Sequence, residues 1–141
     1  MFAKPASFIR RLLRDPSGSA IVEAAFAVPL MAMLLLGILA YGSWFMTAHS
    51  LQQAANDAAR AAVAGLDSAE RRMLIEQSVT ASRAAFPLPG AQTIAFGTSE
   101  SGGYCTVTLR YNLANATIFS VLPVPLPGEV LERSAVVRIA G

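Results

Sequence analysis

No Asp, Glu, Lys or Arg occurs between Glu23 and Asp57. Within that gap, Ala24 to Met46 leaves the apolar set only at Pro29, Gly37, Gly42 and Ser43. Twenty-three residues of helix rise about 34 Å, enough to cross a hydrocarbon core of roughly 30 Å with some tilt. Met31 to Leu39 is the most apolar stretch, and Tyr41 and Trp44 fall toward one end, where interfacial aromatics are favoured. Pro29 lacks an N–H and crowds the carbonyl of Ala25, which predicts a kink or local loosening. Past the apolar run the pattern stays helical. Leu51, Ala55, Ala58 and Ala62 recur at spacings of three and four, while Gln53, Asn56, Asp57 and Arg60 fall on the other side. Such a smooth stripe suits close approach of another helix in an assembly and suits docking on the chain's own domain equally well. Gly65 is a helix stop.

A second helix is predicted over Asp67 to Phe86. Asp67 and Glu70 stand at capping-box spacing, and Ile75, Val79, Ser82 and Phe86 make one stripe. Pro87 to Gly90 ends it. The rest reads as strand. Thr93 to Phe96 predicts a short one, Gly97 to Gly103 a turn or loop. Tyr104 to Leu113 alternates, with Cys105, Val107, Leu109, Tyr111 and Leu113 on the core side. Pro123, Pro125 and Pro127 break up residues 122–128, either as a surface loop that touches a partner or, the preferred reading, as a stiff connector, and Val130 to Ile139 is the last strand. The expected class is α+β: a long N-terminal helix extending into a small domain, with a short antiparallel sheet packed on helix. The expected division is 1–18 as a basic leader, 19–46 as a transmembrane helix and 47–141 as an extracytoplasmic domain.

Composition agrees with a membrane segment. The chain is 54% hydrophobic and 14% charged, against roughly 45–50% and about 25% in an ordinary globular domain. Its net charge of +2 is unevenly placed. Residues 1–18 carry Lys4, Arg10, Arg11 and Arg14 against Asp15, whereas residues 19–141 carry seven Arg and eight acids. The basicity belongs to the leader, so the domain has no electrostatic footprint for nucleic acid. One cysteine, Cys105, forms no internal disulfide, and with one His, His49, no metal cluster can be built. There is no phosphate loop, nucleophile elbow or paired-acid arrangement. The expectation is a non-enzyme with no cofactor, no metal and no small-molecule substrate.

Basic residues before the apolar run put the N-terminus in the cytoplasm and the domain outside. A cleaved secretory signal is a competing reading, but its apolar core runs about 7–15 residues and ends at a small-x-small site. Here the run is longer and continues into Trp44, Phe45 and Met46. The buried helix of a soluble protein is another competitor, disfavoured by the length and the flanking charges.

Glu23 stands at the start of the run. By itself it would be an acid at headgroup level near the positive helix N-terminus; an acid inside a membrane also marks function. Before it lies Gly18-Ser19-Ala20-Ile21-Val22, so a basic leader ends in glycine and the acid is the fifth residue after it. This layout resembles the type IV prepilin processing site. The resemblance implies a membrane-embedded prepilin peptidase that cuts between Gly18 and Ser19, and a Glu23 that pairs with the N-terminal amine of a neighbouring subunit. Asp15, Pro16 and Ser17 are poor helix formers, which predicts an accessible site. Residues Gly18 to about Gly65, including the 18–29 segment, Leu34-Leu35-Leu36-Gly37 and the alanine-rich 54–62 stretch, are similar to the TadE-like family of tight-adherence (type IVc) pilus systems. That resemblance implies a minor pilin-like subunit in the bacterial inner membrane that enters an extracellular pilus. Its partners would be the membrane, the peptidase, other pilin-like subunits and the pilus assembly platform. An uncleaved single-pass adaptor of an envelope complex is the alternative, and a secreted enzyme or binding domain a third.

Overall fold

The computed structural model describes residues 16–84, 86, 93–116, 119, 125 and 128–139. Its first element is one helix, α1, over Pro16–Ala62. Runs of Ala, Leu and Met favour it, and Pro16 suits the first helical position because its missing N–H is an orphan there anyway. The helix is unbroken at Pro29, although the Ala25 carbonyl loses the donor that residue 29 would supply.

The chain forms two units, Met1–Ile38 and Leu39–Gly141. In the first, the described residues are α1 alone. Its large apolar side chains, among them Ile21, Phe26, Leu30, Met33 and Ile38, are exposed around the whole helix. Such a surface needs an apolar solvent or a covering partner. Gly18–Ala62 contains a stretch long and apolar enough to cross a membrane.

The second unit carries the core. Ala48, Leu51, Ala54, Ala55, Ala58, Ala59 and Ala62 of α1 are buried in it. The predicted stripe of Leu51, Ala55, Ala58 and Ala62 is fully covered, and by this chain's own residues. Alanine side chains let the helix backbone come close to what packs on it. α1 closes with tightened turns, in which Val63, Ala64 and Gly65 N–H groups donate to the carbonyls three residues back. Gly65 is needed for close approach: a Cβ there would lie 2.5 Å from Arg71 Cγ and 2.7 Å from its backbone N.

Helix α2 runs over Ser68–Ala84, two residues short of the predicted end at Phe86. Asp67 caps it, accepting from the Glu70 N–H at 2.8 Å, and the Glu70 carboxylate accepts from the Leu66 N–H at 2.8 Å. This is the expected reciprocal arrangement, with the return bond reaching one residue further back. Arg71, Ile75 and Val79 are its buried face.

Three strands, β1 (Ala95–Ser101), β2 (Tyr104–Asn112) and β3 (Val130–Arg138), form an antiparallel sheet in that order. β1 corrects the sequence reading, which left residues 97–103 as a loop. The strand continues to Ser101, and Ser101 pairs with Tyr104 across a two-residue turn. Gly102 and Gly103 have φ of +59° and +78°, the left-handed pair that a tight hairpin with matched twist requires. Residues 97–101 show no apolar alternation because they form an edge strand with exposed side chains on both faces. In β2, Cys105, Val107, Leu109 and Tyr111 point into the core as predicted. Phe86 packs edge-on to Tyr111, ring centres 5.1 Å apart. After β2 a short 3-10 turn, Leu113–Asn115, is capped by Asn112, whose side chain accepts from the Ala114 N–H at 2.9 Å. The Gln52 side chain of α1 donates to the Ser134 carbonyl of β3 at 3.2 Å. The fold is α+β, a long apolar helix followed by a small antiparallel sheet packed on helix.

Candidate functional site

The residues singled out for processing and assembly all lie on the first turns of α1. Ser19 and Glu23 are four residues apart and so share a face, about 6 Å along the axis. Both are exposed, and Gly18 is half-exposed. Among the described residues no donor or cation pairs with Glu23, and its neighbours Ile21, Val22 and Phe26 offer only apolar surface. A carboxylate in this setting has no partner among the described residues, and desolvating it alone would be costly. Gly18 stands in helix, which begins at Pro16.

About two turns before the core cluster begins, one side of α1 becomes buried. Ala40, Thr47 and Ala48 are buried, and Trp44 packs against the core cluster. The Tyr41 hydroxyl donates to the Pro125 carbonyl at 2.8 Å. Thr47 satisfies its buried hydroxyl by donating back to the Ser43 carbonyl at 2.6 Å. Tyr41 and Trp44, expected as free interfacial aromatics, are thus also contacts of the domain. Of the proline-rich 122–128 segment, only Pro125 and Gly128 are among the described residues.

Sequence reasoning missed one charged pair. Arg71 forms a fork on Glu100, Nε to Oε1 and a terminal nitrogen to Oε2, each at 2.9 Å. Its other terminal nitrogen donates to the Gly65 carbonyl at 3.2 Å. One side chain thereby ties the corner after α1, the start of α2 and the β1 edge. The Arg71 hydrogen bond holds the Glu100 carboxyl below the usual carboxylate range, against the opposing effect of desolvation. The same bond raises Arg71. The available signal was that Arg71 falls four residues before Ile75, on the apolar stripe itself.

The other candidates are quiet. Burial pushes the Cys105 thiol up, so it stays protonated and unreactive. His49 is exposed, with Nε2 3.1 Å from Gln53 Nε2. Among the described residues no three His, Cys, Asp or Glu side chains gather as a metal site. On the outer sheet face a shallow groove of about 360 Å³ is lined by small polar residues such as Gly97, Ser99, Thr106 and Thr108. At its end Arg110 and Glu132 are already paired, at 2.7 Å.

The exposed apolar segment and the alanine stripe together make a recognisable helix. Residues 18–60 match the family model of TadE-like proteins. The match opens at Gly18 and bears out the resemblance read from that glycine onward. It covers most of α1 and leaves α2 and the sheet outside it. No curated protein and no solved structure matches the chain.

Proposed function

We propose that this TadE-like chain is a pilin-like structural subunit, a minor one, of a bacterial type IVc tight-adherence pilus. It is a non-enzymatic protein that spans the inner membrane once, with its N-terminus in the cytoplasm and its domain in the periplasm. A prepilin peptidase removes residues 1–18, and the new Ser19 end enters assembly. The observation that supports the reading is the first half of α1: a helix exposed on every side and apolar but for one acid, Glu23, in its second turn, which no described residue pairs. Lipid covers such a surface in the membrane, and neighbouring helices cover it in a filament. Inside a bundle an unpaired carboxylate is costly, so pairing Glu23 with the Ser19 amine of a neighbour would fix the register of subunits. The assembly platform and other pilin-like subunits are the partners in this reading.

One observation favours a second reading, an uncleaved single-pass adaptor of an envelope complex. Gly18 lies within α1, which begins at Pro16, and a peptidase must open that turn before cutting. Glu23→Ala tests the assembly role. The variant is expected to insert in the membrane at the wild-type level but to abolish or sharply reduce piliation. Normal piliation with Glu23→Ala would reduce Glu23 to a headgroup-level acid and remove the registry argument.

A further inference from the structure

The exposed apolar surface of α1 and the region packed by its domain overlap. On one side of the helix, burial begins at Ala40, 1% exposed, Trp44 packs against the core cluster and Thr47 is buried. On the other side, large apolar residues stay exposed beyond that point: Leu39 at 59%, Phe45 at 63% and Met46 at 61%. The first exposed polar residue after them is His49. Over residues 40–46, about 9 Å of helix, one side therefore seeks an apolar environment while the other is held by the domain.

The domain reaches this zone through a described contact. The Tyr41 hydroxyl donates to the Pro125 carbonyl at 2.8 Å, and Pro125 is exposed. Tyr41 is two residues past Leu39, about 3 Å along the axis. Side chains on a helix lean toward its N-terminus, which lowers the Tyr41 ring further toward the apolar run. Tyrosine is also a residue that settles at headgroup level, ring in the apolar zone and hydroxyl outward. No Asp, Glu, Lys or Arg occurs in the sequence between Arg110 and Glu129.

We propose that the domain does not stand off on a helical stalk but rests on the bilayer, with the Pro125 backbone at the phospholipid headgroup level. The contact depends on the reading of α1 as membrane-spanning. It deepens that reading by giving the domain its own lipid-facing base. The Tyr41–Pro125 hydrogen bond sets the seating depth. Release of a subunit into an assembly then requires the base as well as the helix to leave lipid.

Full-length protein in phosphatidylethanolamine–phosphatidylglycerol vesicles provides the test. A fluorescent thiol label is placed at Pro125→Cys, which keeps the backbone carbonyl that Tyr41 uses. The same label goes at Asp57→Cys, on the exposed face of α1 about 24 Å further out, and at Leu35→Cys within the apolar run. Cys105 is sealed in the core, and wild-type protein labelled in parallel corrects for it. Headgroup-borne nitroxide should quench the Pro125 label severalfold more than the Asp57 label, and aqueous iodide should do the reverse. Adding Tyr41→Phe should move the Pro125 label toward iodide access. If the Leu35 label is quenched by lipid but the Pro125 label behaves like Asp57, the seating is wrong and the membrane reading stands. If the Leu35 label is not quenched by lipid either, the membrane reading itself falls. A Pro125 label shielded from both quenchers would place a second protein copy over the base and overturn the lipid contact.

Discussion

The two halves of α1 are both apolar, yet they meet opposite surroundings. From Ile21 to Leu39 the large side chains are Leu, Ile, Met, Phe and Val, exposed all round the helix. From Ala48 to Ala62 the buried positions are alanines and one leucine, covered by a sheet and a second helix. Hydrophobicity alone does not separate them; side-chain size and periodicity do. Bulky residues on every face leave no side for water and suit a lipid or helix-bundle environment. Small residues on one face, with Gln53, Asn56, Asp57 and Arg60 opposite, suit a close-packed domain in water. The same helix thus carries an exposed apolar stretch long enough to cross a membrane and a small-residue face buried in the domain core.

Truncations should separate the halves most strongly. Leu51 is fully buried, so Leu51→Ala should cost about 2–5 kcal/mol of domain stability. Leu35→Ala, in the exposed half, should leave thermal unfolding of the domain unchanged. Equal losses for both would show that the two halves fold as one core. Next in size is the reverse change. Ala58→Leu pushes extra methyls into a site with no exposure and should destabilise by about 1–3 kcal/mol in denaturant unfolding. A neutral Ala58→Leu would mean that the stripe is looser than the structure has it.

A smaller effect tests what holds the corner after α1. The Glu100 carboxyl titrates below its ordinary value of 4.5 in the folded chain. Its contribution is therefore complete above that value and is lost as pH falls through the lowered one. Glu100→Gln should flatten the acid limb of stability against pH, with little change in the shape of the curve above neutrality. An unchanged acid limb would show that the Arg71–Glu100 fork carries no pH-linked stability.

What was legible follows the same division. The apolar run, the Leu51 to Ala62 stripe and the Cys105 to Tyr111 alternation were readable because each repeats a single period over many residues. Asp67 and Glu70 were readable because capping is local. β1 was not, because Gly97 to Ser101 has polar side chains on both faces and its strand character comes from pairing with β2. The sharper signal there was Gly102-Gly103, whose two positive φ angles fit a two-residue hairpin turn. Arg71 was missed because its partners, Gly65 and Glu100, meet it only in three dimensions. For the candidate site, spacing and flank nominate Gly18, Ser19 and Glu23, and the structure puts them on the first turns of α1. The domain contacts of Tyr41 and Trp44 were not legible, since single contacts of this kind have no sequence period.

The most direct test of the account is the intact mass of the protein extracted from the membranes of piliated cells, with its N-terminus read by peptide sequencing. The account predicts a chain that begins at Ser19, and a Gly18→Ala variant that keeps its leader. Functional protein that still begins at Met1 would contradict the processing step and leave the uncleaved adaptor as the reading that stands.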